Sequence, residues 1–189
     1  MSVLGELQPN KVFQYFEEIC AIPHGSRNLQ QISDYLVDFA KVHGLKYRQD
    51  EDLNVIIWKD GSKGYEDSDP VILQGHMDMV AVKESDCDKD MEKEGLDLEI
   101  DGDYILAKGT SLGGDDGIAV AYTLAVLDDE EMAHPPIEAI FTVNEEIGML
   151  GAATIDVSDL KGRLFMNMDS EDEGVFTVSC AGGASVICK

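Results

Sequence analysis

Three apolar runs in this 189-residue chain end in residue types that bind metal ions. The run 71–80, Val-Ile-Leu-Gln-Gly-His-Met-Asp-Met-Val, carries His76 and Asp78. The run 137–146 ends in Glu145 and Glu146, and the run 164–171 ends in Asp169, Ser170 and Glu171. A fourth acid, Asp115, follows the glycine-rich stretch 109–114. Imidazole nitrogens and carboxylate oxygens are the donors a zinc site uses. Residues two apart on a strand share a face, so Asp78 is expected beside His76, holding the second imidazole nitrogen and fixing its tautomer. Alone, a His-x-Asp pair is no more than a polar strand end, and adjacent glutamates often sit on solvated turns. Neighbouring strand residues point opposite ways, so Glu145 and Glu146 reach one site only where the strand stops, as Gly148 suggests. Asp115, Glu145, Glu146 and Asp169 in one cleft would repel each other, and a divalent cation reverses that repulsion. The joint pattern therefore favours a metal site. His24 and His134 read as turn residues and His43 as a helix-end residue.

These groups need elements to hold them. Apolar residues at helical spacing predict helices over 10–22 and 27–43, the first stopped by Pro23 and the second by Gly44. Strands are predicted at 53–58, 71–80, 137–143 and 164–168, the last three buried. Residues 96–107 read as a hairpin turning at Asp101-Gly102-Asp103. A helix is expected over 115–127, with Ile118, Ala121, Tyr122 and Ala125 on one face. Two further strands are expected at 176–180 and 184–188. Alternating strands and helices imply an α/β fold, a mostly parallel mixed sheet covered on both faces. Ligands in such sheets gather at the carboxyl ends of strands, where the candidate residues lie.

Composition narrows the function. With 38 acids, 14 basic residues and a net charge of -24, the chain lacks the basic surface that nucleic acid or an anionic membrane requires. An apolar share of 44% is that of a folded domain. Ten acids crowd between Glu84 and Asp103, but without the alternating ligands and central glycine of a calcium loop, so they read as a solvated loop. Cys20, Cys87, Cys180 and Cys188 are scattered and form no CxxC pair, and residues 1–10 show no signal peptide pattern. Reduced thiols and a cytoplasmic location are expected.

The runs GHMDMV (75–80), GTSLGGDDG (109–117), NEEIGMLGA (144–152) and MDSEDEG (168–174), in that order, resemble the zinc exopeptidases related to carboxypeptidase G and aminoacylase. Ile22-Pro-His-Gly-Ser26 and the segment 169–183 resemble in particular the aminoacyl-histidine (Xaa-His, β-alanyl-histidine) dipeptidases. Tripeptidase T shares the loop-plus-aspartate and the paired glutamates but matches these flanks less well. The resemblance implies a zinc-exopeptidase-like catalytic domain with two zinc ions, manganese or cobalt being alternatives. It implies that His76 and Asp169 bind one ion, Asp115 bridges both and Glu146 binds the second. It gives Glu145 the role of general base and Asp78 that of partner to His76; the residues alone leave the order within Glu145-Glu146 open. The implied reaction is hydrolysis of a small peptide such as β-Ala-His by a hydroxide between ions about 3.5–4 Å apart. A cis peptide bond after Asp115 is also implied. Family members run to more than twice this length and add a lid or dimerisation domain, with the remaining histidine ligand in their later part. No histidine follows Asp169 here. The chain is thus expected to be the N-terminal part of an incomplete catalytic domain, inactive by itself and a homodimer when full length. The alternatives are a tripeptidase T-like peptidase, an N-acyl amino acid deacylase, or a truncated non-catalytic metal-binding fragment.

Overall fold

A computed structural model of the chain describes residues 2–170, 174–179 and 182. Helix α1 (Asn10–Cys20) buries Val12, Phe16 and Ile19, and α2 (Gln30–Val42) buries Ile32, Leu36 and Phe39, the stripes their spacing predicts. Gly44, at φ +65°, ends α2 in the left-handed conformation. The bonds from Gly44 N–H to the Lys41 carbonyl and from Leu45 N–H to the Ala40 carbonyl complete that cap.

Among the described residues five strands make the sheet: β1 (Lys46–Gln49), β2 (Val55–Lys59), β3 (Val71–His76), β6 (Ile137–Thr142) and β7 (Leu164–Asn167), in the order β1-β2-β6-β3-β7. Strand β3 pairs in parallel with β6 and β7, whereas β1–β2 and β2–β6 are antiparallel. The fold is the expected α/β arrangement, a mixed sheet flanked by helices. Strands β4 (Leu98–Asp101) and β5 (Tyr104–Ala107) form the expected hairpin apart from it. Helix α3 (Gly114–Asp128) connects β3 towards β6, and the short α4 (Leu150–Thr154) follows β6.

Helices α1, α2 and α3 share one core with Val55, Ile57, Leu73, Ala139 and Phe141, which alternate along the strands onto one sheet face. The other face is covered by a loop rather than by long helices. The buried carboxylate of Glu138 accepts the N–H groups of Lys161 and Gly162 at 2.9–3.1 Å, and Arg48 on β1 reaches Asp159 at 3.0 Å and the Asp156 carbonyl. The segment after α4 thus crosses that face from β1 to β7.

Several expectations need correction. The strand begun at Val71 stops at His76, so Asp78 lies beyond it. The buried face of α3 is Val120, Ala121, Leu124 and Leu127, while Tyr122 is exposed. Strand β7 is exposed along its length, not buried, because among the described residues it has a neighbour on one side only. Residues 176–179 are not a strand, and the strand expected over 184–188 lies outside the described residues, as do Cys180, Cys188 and Glu171.

Candidate metal centre

His76 closes β3 and is almost wholly buried. Its Nδ1 lies 2.9 Å from the backbone carbonyl of Asp78 and 3.6 Å from the Asp78 carboxylate. Nδ1–H therefore donates to a main-chain oxygen, which turns Nε2 outward as the nitrogen that would face an ion. Nε2 is 3.0 Å from Asp115 Oδ1 and 3.9 Å from Glu145 Oε2.

Asp115 reaches this point because α3 opens irregularly. The Asp115–Asp116 peptide bond is cis, as the resemblance implies, and both residues are non-helical inside the first turn. Asp116 turns inward, where its buried Oδ2 accepts the His76 backbone N–H at 3.1 Å. Gly75 permits this close approach, since a Cβ there would stand 2.9 Å from Asp116 Oδ2 and 3.1 Å from the Ala119 Cβ.

Glu145 and Glu146 follow β6 in a tight turn, with Asn144 at φ +53° and the Gly148 and Met149 N–H groups donating to the Glu145 carbonyl. Both glutamates can face the site because the strand has ended, as their adjacency requires. The buried Asp78 carboxylate accepts the N–H of Glu145 at 2.9 Å, the N–H of Glu146 at 3.4 Å and the Ser26 hydroxyl at 2.8 Å.

His76, Asp115 and Glu146 each offer one ligand atom, all within 4.8 Å of one another. Asp169 stands outside that group. It is exposed after β7 and lines, with Glu145, Gln74 and Thr142, a groove of about 260 Å³ on the loop-covered face.

The electrostatics of the cluster call for a cation. Burial works against a charged His76 imidazole, yet hydrogen bonding to Asp78 and the charges of Asp116 and Asp78 push its pKa up to about 10. Burial also raises Glu145, Glu146 and Asp116, the last to about 7. Burial pushes Asp78 upward too, but the His76 imidazole 3.6 Å away and the hydrogen bonds from the Glu145 N–H and the Ser26 hydroxyl hold it below the usual carboxylate range. An imidazole nitrogen beside two carboxylate oxygens is a donor set that suits zinc-like divalent ions, whose binding would supply the positive charge that protonated His76 otherwise provides.

Sequence reasoning gave no role to Ser26, Asn144 or Asn54. Asn54 is buried and accepts the Val143 N–H at 3.1 Å, fixing the end of β6. These contacts join residues 52 to 117 positions apart, and no periodicity reports them. His24, read as a turn residue, lies in the loop between α1 and α2 and is buried, with burial lowering its pKa. Burial raises the Cys20 thiol to about 12, which keeps it protonated and unreactive at neutral pH.

No protein-family model matches the chain. The cytosol non-specific dipeptidase of Escherichia coli is 41% identical over 183 residues, 97% of this chain and 38% of that protein. The crystal structure of aminoacylhistidine dipeptidase from Vibrio alginolyticus superposes with a TM-score of 0.87 at 42% identity, covering 90% of this chain and 35% of that one. A Staphylococcus aureus tripeptidase shares the fold, with a TM-score of 0.73 at 23% identity over 89% of this chain and 45% of that one. The chain thus spans less than two fifths of the length of the two dipeptidases. The resemblance carried by the four motifs is borne out.

Proposed function

We propose that the chain is the N-terminal part of a catalytic domain in a metal-dependent dipeptidase that hydrolyses Xaa-His peptides such as β-Ala-His. The observation that carries this reading is the convergence of His76, Asp115 and Glu146 within 4.8 Å, with Glu145 Oε2 3.9 Å from His76 Nε2. Two dipeptidases more than 40% identical to the chain support the reaction class. The ligand set we propose is His76 and Asp169 for one ion, Asp115 between both, and Glu146 for the second. Zinc bound there, or manganese or cobalt, would lower the pKa of a water and polarise the scissile carbonyl.

The chain's own residues do the rest. Glu145 would accept the proton of the attacking water and return it to the leaving amine. Burial and the charges of Asp169, Asp78 and Asp115 outweigh that of His76 and hold its carboxyl above the usual range, which suits both halves of that transfer. Asp78 and the backbone carbonyl beside it orient the ring of His76. Exposed Asp115 and half-buried Glu145 leave the site open on the side from which a peptide would enter.

No helix among the described residues is long and apolar enough to cross a membrane. A cytoplasmic enzyme, homodimeric at full length, is part of the same proposal. The test is an assay of the full-length protein on β-Ala-His, other dipeptides, tripeptides and N-acyl amino acids, before and after chelation. Chelator-sensitive, zinc-restored turnover of β-Ala-His is expected. Preference for tripeptides or N-acyl amino acids would replace the substrate class, and chelator-resistant turnover would overturn the metal reading.

A further inference from the structure

The two strand ends that carry the site, β3 and β6, are bridged by a loop from elsewhere in the chain. Residues 24–27 lie between α1 and α2 and cross from one strand end to the other. On the β3 side, Met79 N–H donates to the His24 carbonyl and Ser26 N–H donates to the Met79 carbonyl, both at 3.2 Å. The Ser26 hydroxyl then donates to Asp78 Oδ2 at 2.8 Å. On the β6 side, Arg27, at φ +73°, donates its N–H to Asn144 Oδ1 at 2.8 Å.

Asp78 links the two halves of this bridge. Its side chain is fully enclosed, so its oxygens depend on protein donors. Oδ1 takes the Glu145 N–H and lies 3.6 Å from His76 Nδ1; Oδ2 takes the Ser26 hydroxyl and, more distantly, the Glu146 N–H. Removing the Ser26 donor leaves Oδ2 with only the 3.4 Å contact and frees the carboxylate to turn about its χ2. Every group that Asp78 orients would then loosen together.

The geometry points to Ser26 as a positioning residue that sets, through Asp78, the placement of the Glu145-Glu146 turn against His76. The role rests on the metallopeptidase reading for its catalytic consequence but not for its structural one.

The experiment uses the full-length protein with Ser26→Ala and Ser26→Thr. Amide hydrogen exchange at Glu145 and Glu146 is followed in the metal-free protein, and zinc affinity and kinetics in the loaded one. Outer contacts of this kind are worth about 10–100-fold in metal affinity or activity, so Ser26→Ala should lower kcat by on the order of tenfold with KM little changed. Exchange at Glu145 and Glu146 should quicken while that of α2 stays unchanged, and Ser26→Thr should restore both readouts. Unchanged exchange at the two glutamates, or failure of threonine to restore it, overturns the proposal. If Ser26→Ala does not fold, Ser26→Cys, a weaker donor of similar size, is read by the same criteria. Faster exchange in a protein without peptidase activity would overturn the enzymatic reading and leave the brace standing.

Discussion

His76 and Asp169 follow from neighbouring strands, yet the two strand ends are built differently. Strand β3 has partners on both sides, Leu73 beneath α3, and a terminal histidine whose backbone N–H and Nδ1 are both bonded. Strand β7 pairs only with β3 among the described residues, and Leu164, Phe165 and Met166 are 42–60% exposed. One side-chain bond, from Asn167 to Gln74, adds to that pairing. The His76 end takes its geometry from the folding core. The Asp169 end owes its position to the pairing of β7 with β3, so an ion bound as proposed would have more to order there.

The contrast can be broken by substitution. Phe141 on β6 is fully buried, and Phe141→Ala should lower the unfolding free energy by about 3–5 kcal/mol in denaturant titration. A loss under about 1 kcal/mol would remove β6 from the core. Gly75→Ala forces a Cβ against Asp116 and Ala119 and should cost about 1–3 kcal/mol, with weaker zinc binding because Asp115 moves with its neighbour. Unchanged stability and zinc affinity would show that α3 yields without disturbing the site.

A graded effect follows from titration. In metal-free protein the pKa of His76 rises from 6.5 to about 10, so its contribution to stability is complete below 6.5 and lost as pH rises through 10. Asp116, raised from 3.8 to about 7 by burial, likewise favours its protonated form and loses stability as pH rises through 7. The melting temperature in chelator should therefore fall between pH 6.5 and 10, and His76→Gln should flatten the upper part of that fall. A melting temperature that climbs over this range would contradict the buried site. The smallest effect belongs to β7. Phe165→Ser should change stability by no more than about 0.5 kcal/mol, and a core-sized loss would mean that β7 is as buried as β3.

The same division governs what the sequence makes legible. The apolar stripes of α1 and α2 follow from periodicity, because burial on one face imposes a period; the run 137–143 shows instead as a continuous apolar stretch buried at every position of β6, and the hairpin as the turn residues around Gly102. Strand β1, Lys46-Tyr-Arg-Gln, is a polar edge strand with no such signal. Strand β7 reads as buried because Leu-Phe-Met is apolar, and only the sheet order reveals its exposure. His76, Asp115 and Glu146 stand out as acids and imidazole at strand and loop ends. Ser26, Asn144 and Asn54 act through single long-range hydrogen bonds, for which one chain carries no spacing signature.

The most direct test separates the two adjacent glutamates in the full-length protein. A ligand holds the ion, whereas a base moves only the proton. Glu145→Gln should reduce turnover by about 10²–10⁴-fold while metal content stays at that of the unsubstituted protein. Glu146→Gln should lose metal from the site shared with Asp115. Metal analysis of the two variants beside their kcat values decides the matter: loss of metal in Glu146→Gln alone is the predicted result, and equal loss in both would contradict the division of roles.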